Sequence, residues 1–440
     1  MSAPAPGIFT RLIARAARLL AKGLYRSVEV GNPDPGWSRA PVIMVANHPT
    51  GMSDPALLLG LLGRSPRFLA KSTLWETRGV GWFLDRIGAI PVYRAQDGST
   101  GKNAEMFRDV VDVLQHRETV TLFPQGRVFD EPYLGPIKTG AARIALSGHA
   151  AGLDGLQVVP VGIHLKEKAA IRSRAFVQVG EVLDLDAEVA ERDDAEASPE
   201  DVDLVHELTG EIEDRLARVS PSFVDRSRAE ALSFAAEVAL REPEASSGVS
   251  FAERELVAAR LTRCDDAAQL EVVAPSQRYA SALDENEVRD ADVLLAQHPD
   301  GLPKRLLGAL VFLVLLAPFA AAGVVLNVVP TLILWGSTRL KSGSMTRSTV
   351  RLVVAIFAYL VTWVVWAVVA WRLWSGQVGL IVLAAGPLYG AVAVSVLDRA
   401  VPLWRDWSGW RRARRLGSAG DALLAERALV VDRVEQVLLR

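Results

Sequence analysis

Residues 42–60 read VIMVANHPTGMSDPALLLG. The unbroken apolar run Val42–Ala46 is typical of a buried strand, and Pro55 opens a second apolar run that favours a helix. An imidazole, His48, and a carboxylate, Asp54, lie in the turn between the two runs. Two interpretations follow: an exposed turn with a helix-capping aspartate, or a general-base pair at the edge of a sheet.

Short apolar runs alternate with amphipathic segments from this stretch onward, between residues 42 and 180. Such alternation predicts an α/β domain whose mixed sheet is flanked by helices. The predicted strands are Val42–Ala46, Arg67–Lys71, Ala89–Val92, Val120–Phe123, Val158–His164 and Ala175–Val179, and the predicted helices are Pro55–Leu62, Asn103–His116, Thr139–Gly148 and Leu204–Val219. The acidic stretch 184–203 indicates a loop.

The first helix is predicted over residues 8–26, where basic side chains recur every three or four positions opposite an apolar side. A basic face of this kind suits the headgroup region of a membrane. It is equally typical of a helix that packs on the domain and turns its charges to water, so both interpretations stay open.

Three long uncharged runs near the C-terminus predict a membrane region: Leu306–Trp335, Leu352–Trp371 and Gly379–Leu397. Cations lie at both ends of the first run, which favours a cytoplasmic location for both ends. The first run is therefore predicted to form a re-entrant hairpin, broken near Gly323, Asn327 or Pro330, and the other two runs to span the bilayer.

The predicted organisation has five parts: an amphipathic interfacial helix (1–26), an α/β domain (27–225), a polar helical segment (226–303), the membrane region (304–400) and a cytoplasmic tail (401–440). A net charge of −2 over 440 residues gives no sign of nucleic-acid binding. The single cysteine, Cys264, excludes an intrachain disulfide, and no motif predicts a metal site.

Three further blocks follow the His48–Asp54 stretch: GAIPVYR (88–94), FPQGRVFDEPYLGPIKTGAARIAL (123–146) and VVPVGIHL (158–165). In this order, residues 20–220 resemble the glycerophospholipid acyltransferase family. The resemblance is strongest to its glycerol-3-phosphate acyltransferase branch with C-terminal membrane segments. It implies that His48 is the general base and Asp54 its partner, without a cofactor.

The resemblance also implies a phosphate-binding site. Its expected residues are Arg94, Gln125, Gly126, Arg127, Lys138 and Thr139. Guanidinium and ammonium groups, with the N-terminus of a helix, suit a phosphate, while a backbone amide near Gly126 would meet a developing oxyanion. This chain departs from the family at Gln125, where a glutamate is usual. This change leaves the identity of the acyl acceptor open.

The resemblance implies an acyltransferase at the cytoplasmic face of the plasma membrane. Acyl-CoA or acyl carrier protein would be the donor, and glycerol 3-phosphate the acceptor. The alternatives are transfer to 1-acyl-glycerol 3-phosphate (lysophosphatidate) or another lipid acceptor, and an inactive membrane adaptor.

Overall fold

The computed structural model describes residues 8–33, 40–62, 66–77, 79–93, 103–168, 170, 172–191, 197–242, 248–298, 301–337, 339 and 344–440. The chain divides into two compact units, an N-terminal unit (Met1–Asp225) and a C-terminal unit (Arg226–Arg440). The first is an α/β domain and the second is helical, which confirms the predicted fold class.

An eight-stranded sheet forms the centre of the N-terminal unit, among the residues described. Its strands are β1 (Tyr25–Gly31), β2 (Val42–Ala46), β3 (Arg67–Lys71), β4 (Ile90–Val92), β5 (Thr119–Leu122), β6 (Gln157–Leu165), β7 (Ser173–Val179) and β8 (Leu183–Asp184). The order is β1-β7-β6-β2-β5-β3-β4, with β8 beside β6. Strand β2 is parallel to β5 and β6, whereas β7 and β8 are antiparallel to β6, so the sheet is mixed as predicted.

Helices cover both faces of this sheet. They are α1 (Ile8–Leu24), α2 (Ser53–Leu61), α3 (Val80–Arg86), α4 (Asn103–Gln115), α5 (Gly140–Ala150), α6 (Leu185–Glu191) and α7 (Val202–Val219). Side chains of β2 alternate between the two faces: Val42 and Met44 pack with α1 and α2, and Ile43 and Val45 with α4, α5 and α7. This burial on both faces explains the unbroken apolar run.

The N-terminal helix is shorter than predicted because the edge strand β1 begins at Tyr25. Its apolar side chains Val28 and Val30 alternate with polar ones, as in a strand with one covered face. Helix α1 packs on α2, with Ala17 and Ala21 buried. The domain therefore covers one side of α1, and Leu12, Arg15 and Leu19 are exposed on the rest of the helix.

The acidic stretch predicted as a loop contains a helix instead. Residues Leu185 and Val189 are one helical turn apart and both are buried, so α6 packs on the sheet despite its acidic neighbours. The prediction failed because two apolar residues at helical spacing are a weak signal within so many charges.

Five polar helices form a bundle in the C-terminal unit: α8 (Arg226–Leu240), α9 (Phe251–Thr262), α10 (Asp266–Glu285), α11 (Asp290–Gln297) and α15 (Ser418–Leu439). Helix α15 packs against α8 and α10, so the predicted tail is in part a helix of this bundle. Asp290 accepts hydrogen bonds from Arg241 (2.7 Å), Arg427 (2.9 Å) and Tyr279 (2.9 Å). Burial, and then the charge of Asp290, raises the pKa of the Tyr279 phenol.

Three further helices are long and apolar enough to cross a membrane: α12 (Gly301–Ser337), α13 (Ser344–Leu373) and α14 (Gly376–Ala413). The predicted hairpin is wrong, because the first run belongs to one continuous helix. The residues expected to break it pack against other helices instead. Asn327 donates to Gly386 O (3.2 Å) and accepts from the indole N–H of Trp363 (2.8 Å).

Helices α12 and α14 pack antiparallel. The Arg399 guanidinium lies 4.2 Å from the ring of Phe312, while Gly386 lies beside Asn327 further along the pair. The end of α14 returns to the polar bundle, where Asp406 accepts from Arg289 at 3.1 Å. The polar helices before α12 and after α14 thus form one body.

Candidate active site

The backbone of His48 is fixed on both sides of the residue. Strand β2 ends at Ala46, and the next side chain, Asn47, forms two hydrogen bonds with the backbone of Ile163 in β6 (2.7 and 3.1 Å). The His48 amide donates to Gln125 Oε1 at 2.9 Å, and the His48 carbonyl accepts from the Phe129 amide at 2.8 Å. The turn after β5 therefore holds the histidine in place.

The imidazole of His48 lies against the carboxylate of Asp54. Nδ1 is 2.8 Å from Asp54 Oδ2, the aspartate is fully buried and 17% of the histidine side chain is exposed. A carboxylate only accepts hydrogen bonds, so the shared proton is on Nδ1 and the neutral ring keeps a lone pair on Nε2. This is the tautomer that a general base requires.

Asp54 accepts further hydrogen bonds from the turn itself. The amides of Thr50 (2.9 Å) and Gly51 (3.1 Å) donate to Oδ2, and the Thr50 hydroxyl donates to Oδ1. Gly51 has a φ of 96°, which favours glycine. These donors satisfy a buried charge that would otherwise be costly. We had not predicted Thr50, although a hydroxyl between the histidine and the aspartate is a usable signal.

The Ser53 hydroxyl lies behind this group, 2.7 Å from Thr50 Oγ1. Thr50 gives its proton to the carboxylate, so Ser53 is the donor in this second bond. Tyr25, at the start of β1, lies near the aspartate. Burial of the phenol, and then the charge of Asp54, raises the pKa of Tyr25. The hydroxyl groups thus form a second layer around the carboxylate, which the sequence patterns did not reveal.

The turn after β5 contributes a ring contact and a backbone hydrogen bond to His48. Phe123 stacks on the His48 imidazole with 4.0 Å between ring centroids and 15° between planes. Gln125 was predicted to bind substrate, but its side chain is buried and its oxygen accepts the His48 amide. The residue therefore positions the histidine.

Gly126 closes the turn after β5. Its φ of 67° suits glycine, and its amide donates to Phe123 O at 2.9 Å, which closes the turn. That N–H is engaged within the turn, so the predicted oxyanion donor would be another backbone amide near Gly126.

Two predicted cations lie at this turn. A Cβ placed on Gly126 would be 3.1 Å from the Lys138 ammonium, so the lysine lies directly beside the turn. The Lys138 amide donates to Pro124 O (2.9 Å), which holds Thr139, the residue before α5, next to the same turn. Arg127 is exposed, with its guanidinium 5.6 Å from the ring centroid of Phe129. The remaining predicted cation, Arg94, lies outside the described residues.

Metal ligands were not predicted for this site. Within the described part of the chain, no group of three or more His, Cys, Asp or Glu side chains could hold a metal ion.

Residues 27–164 match the family model Acyltransferase. A 90-residue segment is 39% identical to glycerol-3-phosphate O-acyltransferase 2 of Saccharomyces cerevisiae and covers 20% of this chain and 12% of the yeast protein. Residues 27–164 therefore contain an Acyltransferase domain, and it is similar to acyltransferases of the glycerophospholipid family. The resemblance noted in the sequence is thereby confirmed.

Two further relatives are named 1-acyl-sn-glycerol-3-phosphate acyltransferases. The chloroplastic protein of Brassica napus is 27% identical over 28% of this chain and 33% of its own length. The protein of Bacillus subtilis is 29% identical over 24% of this chain and 51% of its own length. The chain thus spans between about an eighth and a half of the relatives it matches.

A solved structure is also similar, that of the 1-acyl-sn-glycerophosphate acyltransferase PlsC of Thermotoga maritima. It covers 47% of this chain and 77% of that chain, with 20% identity and a TM-score of 0.34.

Proposed function

We propose that this protein is a membrane-bound O-acyltransferase that transfers a fatty acyl group from an acyl thioester to glycerol 3-phosphate. The observation that carries the proposal is the His48–Asp54 pair, because its buried carboxylate is satisfied and its imidazole is held in the tautomer of a base. The donor would be acyl-CoA or acyl carrier protein, and the reaction a step of phospholipid biosynthesis.

The reaction needs no nucleophile from the protein. His48 Nε2 removes the proton of the acceptor hydroxyl while its oxygen attacks the thioester carbonyl carbon. The tetrahedral intermediate collapses, the carbon–sulfur bond breaks, and the leaving thiolate takes the proton from the imidazolium. Asp54 stabilises the imidazolium between these steps and keeps the ring oriented, as the aspartate does in a serine-protease triad.

The phosphate of the acceptor would bind at Arg127 and Lys138. Both cations lie at the turn after β5, and strands β5 and β2 are parallel, so this turn and His48 lie at the same edge of the sheet. A guanidinium can hold a phosphate through two hydrogen bonds, and the ammonium adds charge. Thr139 places the N-terminus of α5 at the same position.

A second acceptor, 1-acyl-glycerol 3-phosphate, is favoured by the names of the Brassica and Bacillus relatives. It carries the same phosphate and one free hydroxyl, so the same base and cations would serve it. An inactive adaptor is disfavoured, because a buried carboxylate that accepts four hydrogen bonds, one of them from the His48 ring, is costly to keep without a role for the pair.

We place the catalytic unit at the cytoplasmic face of the plasma membrane. The charge pattern of the chain supports this orientation. Helices α8–α11 and α15 form one bundle, so the polar segments on both sides of the apolar helices lie on the same side of the bilayer, and the apolar helices cross it an even number of times.

The proposal is tested with the full-length protein in lipid nanodiscs and a radiolabelled acyl group on CoA or on acyl carrier protein. The acceptors are glycerol 3-phosphate, 1-acyl-glycerol 3-phosphate and glycerol. We expect labelled product with glycerol 3-phosphate and none with glycerol, which has the hydroxyl but lacks the phosphate. Preference for the 1-acyl acceptor would select the second candidate, and no transfer to any acceptor would contradict the proposed activity.

A further inference from the structure

Exposed apolar side chains are concentrated in one helical layer of the N-terminal unit. Among its described residues, six of the nine large apolar side chains that are exposed belong to α1, to the 3₁₀ turn after β3, to α3 or to the start of α2. They are Leu12, Leu19, Met52, Leu74, Trp82 and Phe83, with Trp82 the most exposed aromatic at 62%.

These elements cover the same face of the sheet. Helices α1 and α2 pack on the face formed by Val42 and Met44. The crossover from β2 to β3 through α2 and the crossover from β3 to β4 through α3 run in the same direction across the sheet. Parallel crossovers are right-handed, so α3 lies on the same face as α2. We call these helices the α1–α3 layer.

The two faces also differ in charge. Helix α1 contains no acidic residue and exposes Arg15, Arg18, Lys22, and next to its end Arg26. The opposite layer exposes carboxylates on α4 and α7: Glu105, Asp109, Asp112, Asp203, Glu207 and Asp214. Glu76 and Asp85 are also exposed, before and on α3, as are Arg108 and Arg218 on the opposite layer. One face of the N-terminal unit is therefore apolar and basic along α1, and the other has more exposed carboxylates than cations.

The apolar surface reaches the candidate active site. Met52 belongs to the turn between His48 and Asp54. Its side chain is exposed, whereas the side chains of His48 and Asp54 are largely covered. Leu74 follows β3, which is parallel to β5 and β2, so it lies at the same edge of the sheet as His48. A surface in contact with the α1–α3 layer would therefore lie next to the candidate active site.

We propose that the α1–α3 layer docks the N-terminal unit on the surface of an anionic lipid bilayer. The same chain carries three helices able to cross a membrane, so this unit is tethered where a bilayer is within reach. Tryptophan is enriched at membrane interfaces, and basic residues beside apolar ones bind anionic headgroups. The anionic headgroups would repel the acidic layer of α4 and α7, so the N-terminal unit would bind with the α1–α3 layer toward the bilayer.

The test uses the full-length protein in vesicles of phosphatidylcholine and phosphatidylglycerol. In a Cys264→Ser background, a bimane label is attached at Trp82→Cys or Leu19→Cys, and at Val202→Cys as the control. Val202 is 55% exposed and begins α7 in the opposite layer. We expect nitroxide lipids to quench the first two labels at least about twofold more than the control, and aqueous iodide to show the reverse order.

Charge reversal provides a second arm. Arg15→Glu with Lys22→Glu should reduce lipid quenching of the label at position 82 in the anionic vesicles, whereas Asp109→Lys on the opposite layer should not. Equal iodide access at positions 19, 82 and 202 would overturn the proposal. Lipid quenching at position 82 that stays the same after the charge reversal would also overturn it. Label depth needs no turnover, so this result is independent of the proposed acyl transfer.

Discussion

The His48–Asp54 pair and the cations of the turn after β5 lie at the same edge of the sheet, but only the pair is enclosed. Asp54 is fully buried and accepts four hydrogen bonds, and His48 is held through its amide, its carbonyl and its ring. Arg127 and Lys138, in contrast, are exposed.

This difference suggests a division of labour within the site. A base must be held in one tautomer and one orientation in every turnover, which rigid surroundings provide. An acceptor that enters and leaves needs charges that it can reach and that can adjust to it. Substitutions in the enclosed part should therefore change the rate of chemistry, and substitutions in the open part should change acceptor binding.

Among substitutions of the residues that contact His48, Asp54→Asn should cause the largest loss of activity. The amide keeps the size of the carboxylate but cannot stabilise an imidazolium or fix the tautomer, so kcat should fall at least about a hundredfold. The acceptor KM should change little. Steady-state kinetics on protein with an unchanged circular dichroism spectrum measures both, and a kcat within a few-fold of wild type would remove Asp54 from the mechanism.

Arg127→Ala should weaken acceptor binding, because Arg127 belongs to the exposed part of the site. A charge-assisted contact to phosphate contributes about 1.5–3 kcal/mol, so the acceptor KM should rise roughly tenfold to a hundredfold while the donor KM stays constant. Arg127→Lys should recover part of the loss, because an ammonium cannot form the bidentate contact.

The matched control for Arg127→Ala is Arg108→Ala, which removes an exposed cation of α4 in the opposite layer. It should leave both KM values unchanged. An unchanged acceptor KM in Arg127→Ala would assign the phosphate to other cations.

Thr50→Val should have a smaller effect, on kcat alone. Valine keeps the shape and the backbone amide of Thr50 but removes the hydroxyl that donates to Asp54. Asp54 keeps its three other donors, so we expect the loss to lie near the lower end of the roughly 1.5–3 kcal/mol that a hydrogen bond to a charged group contributes, and kcat should fall about tenfold. Thr209→Val on α7, whose hydroxyl donates to a helix carbonyl, is the control. Equal kcat values in the two variants would show that the Thr50 hydroxyl does not support the pair.

Gln125→Glu should produce the smallest change, a shift of the pH profile. Glutamate can accept the same His48 amide, but its negative charge beside the ring stabilises the imidazolium. A higher pH is then needed to free the base, so the acidic limb of kcat/KM should move up by about half a unit to one unit. A profile that does not move would place the glutamate charge too far from the imidazole to matter.

The sequence was informative wherever a local pattern decided the structure. The strands Val42–Ala46 and Arg67–Lys71 were predicted to the residue, and the pairing of His48 with Asp54 followed from a short turn. The contact of Gln125 with the His48 amide was not predicted, because the two residues follow different strands. Contacts of this kind depend on the order of the strands, which no local pattern contains.

The membrane region shows the same limit. Glycine, asparagine and proline within an apolar run signal a break, yet the helix continues through Asn327. The amide is satisfied by Gly386 and Trp363 on two other helices, so a feature that disfavours an isolated helix stabilises an assembled one.

The most direct test of the acyl-transfer mechanism is the turnover of His48→Ala in the full-length protein. It should be measured in nanodiscs with labelled acyl donor and glycerol 3-phosphate, beside His116→Ala, which removes an exposed imidazole at the end of α4. We predict that kcat/KM falls at least about a hundredfold in His48→Ala and stays at the wild-type value in His116→Ala. Turnover by a folded His48→Ala protein within a few-fold of wild type would contradict the role of His48 as the base.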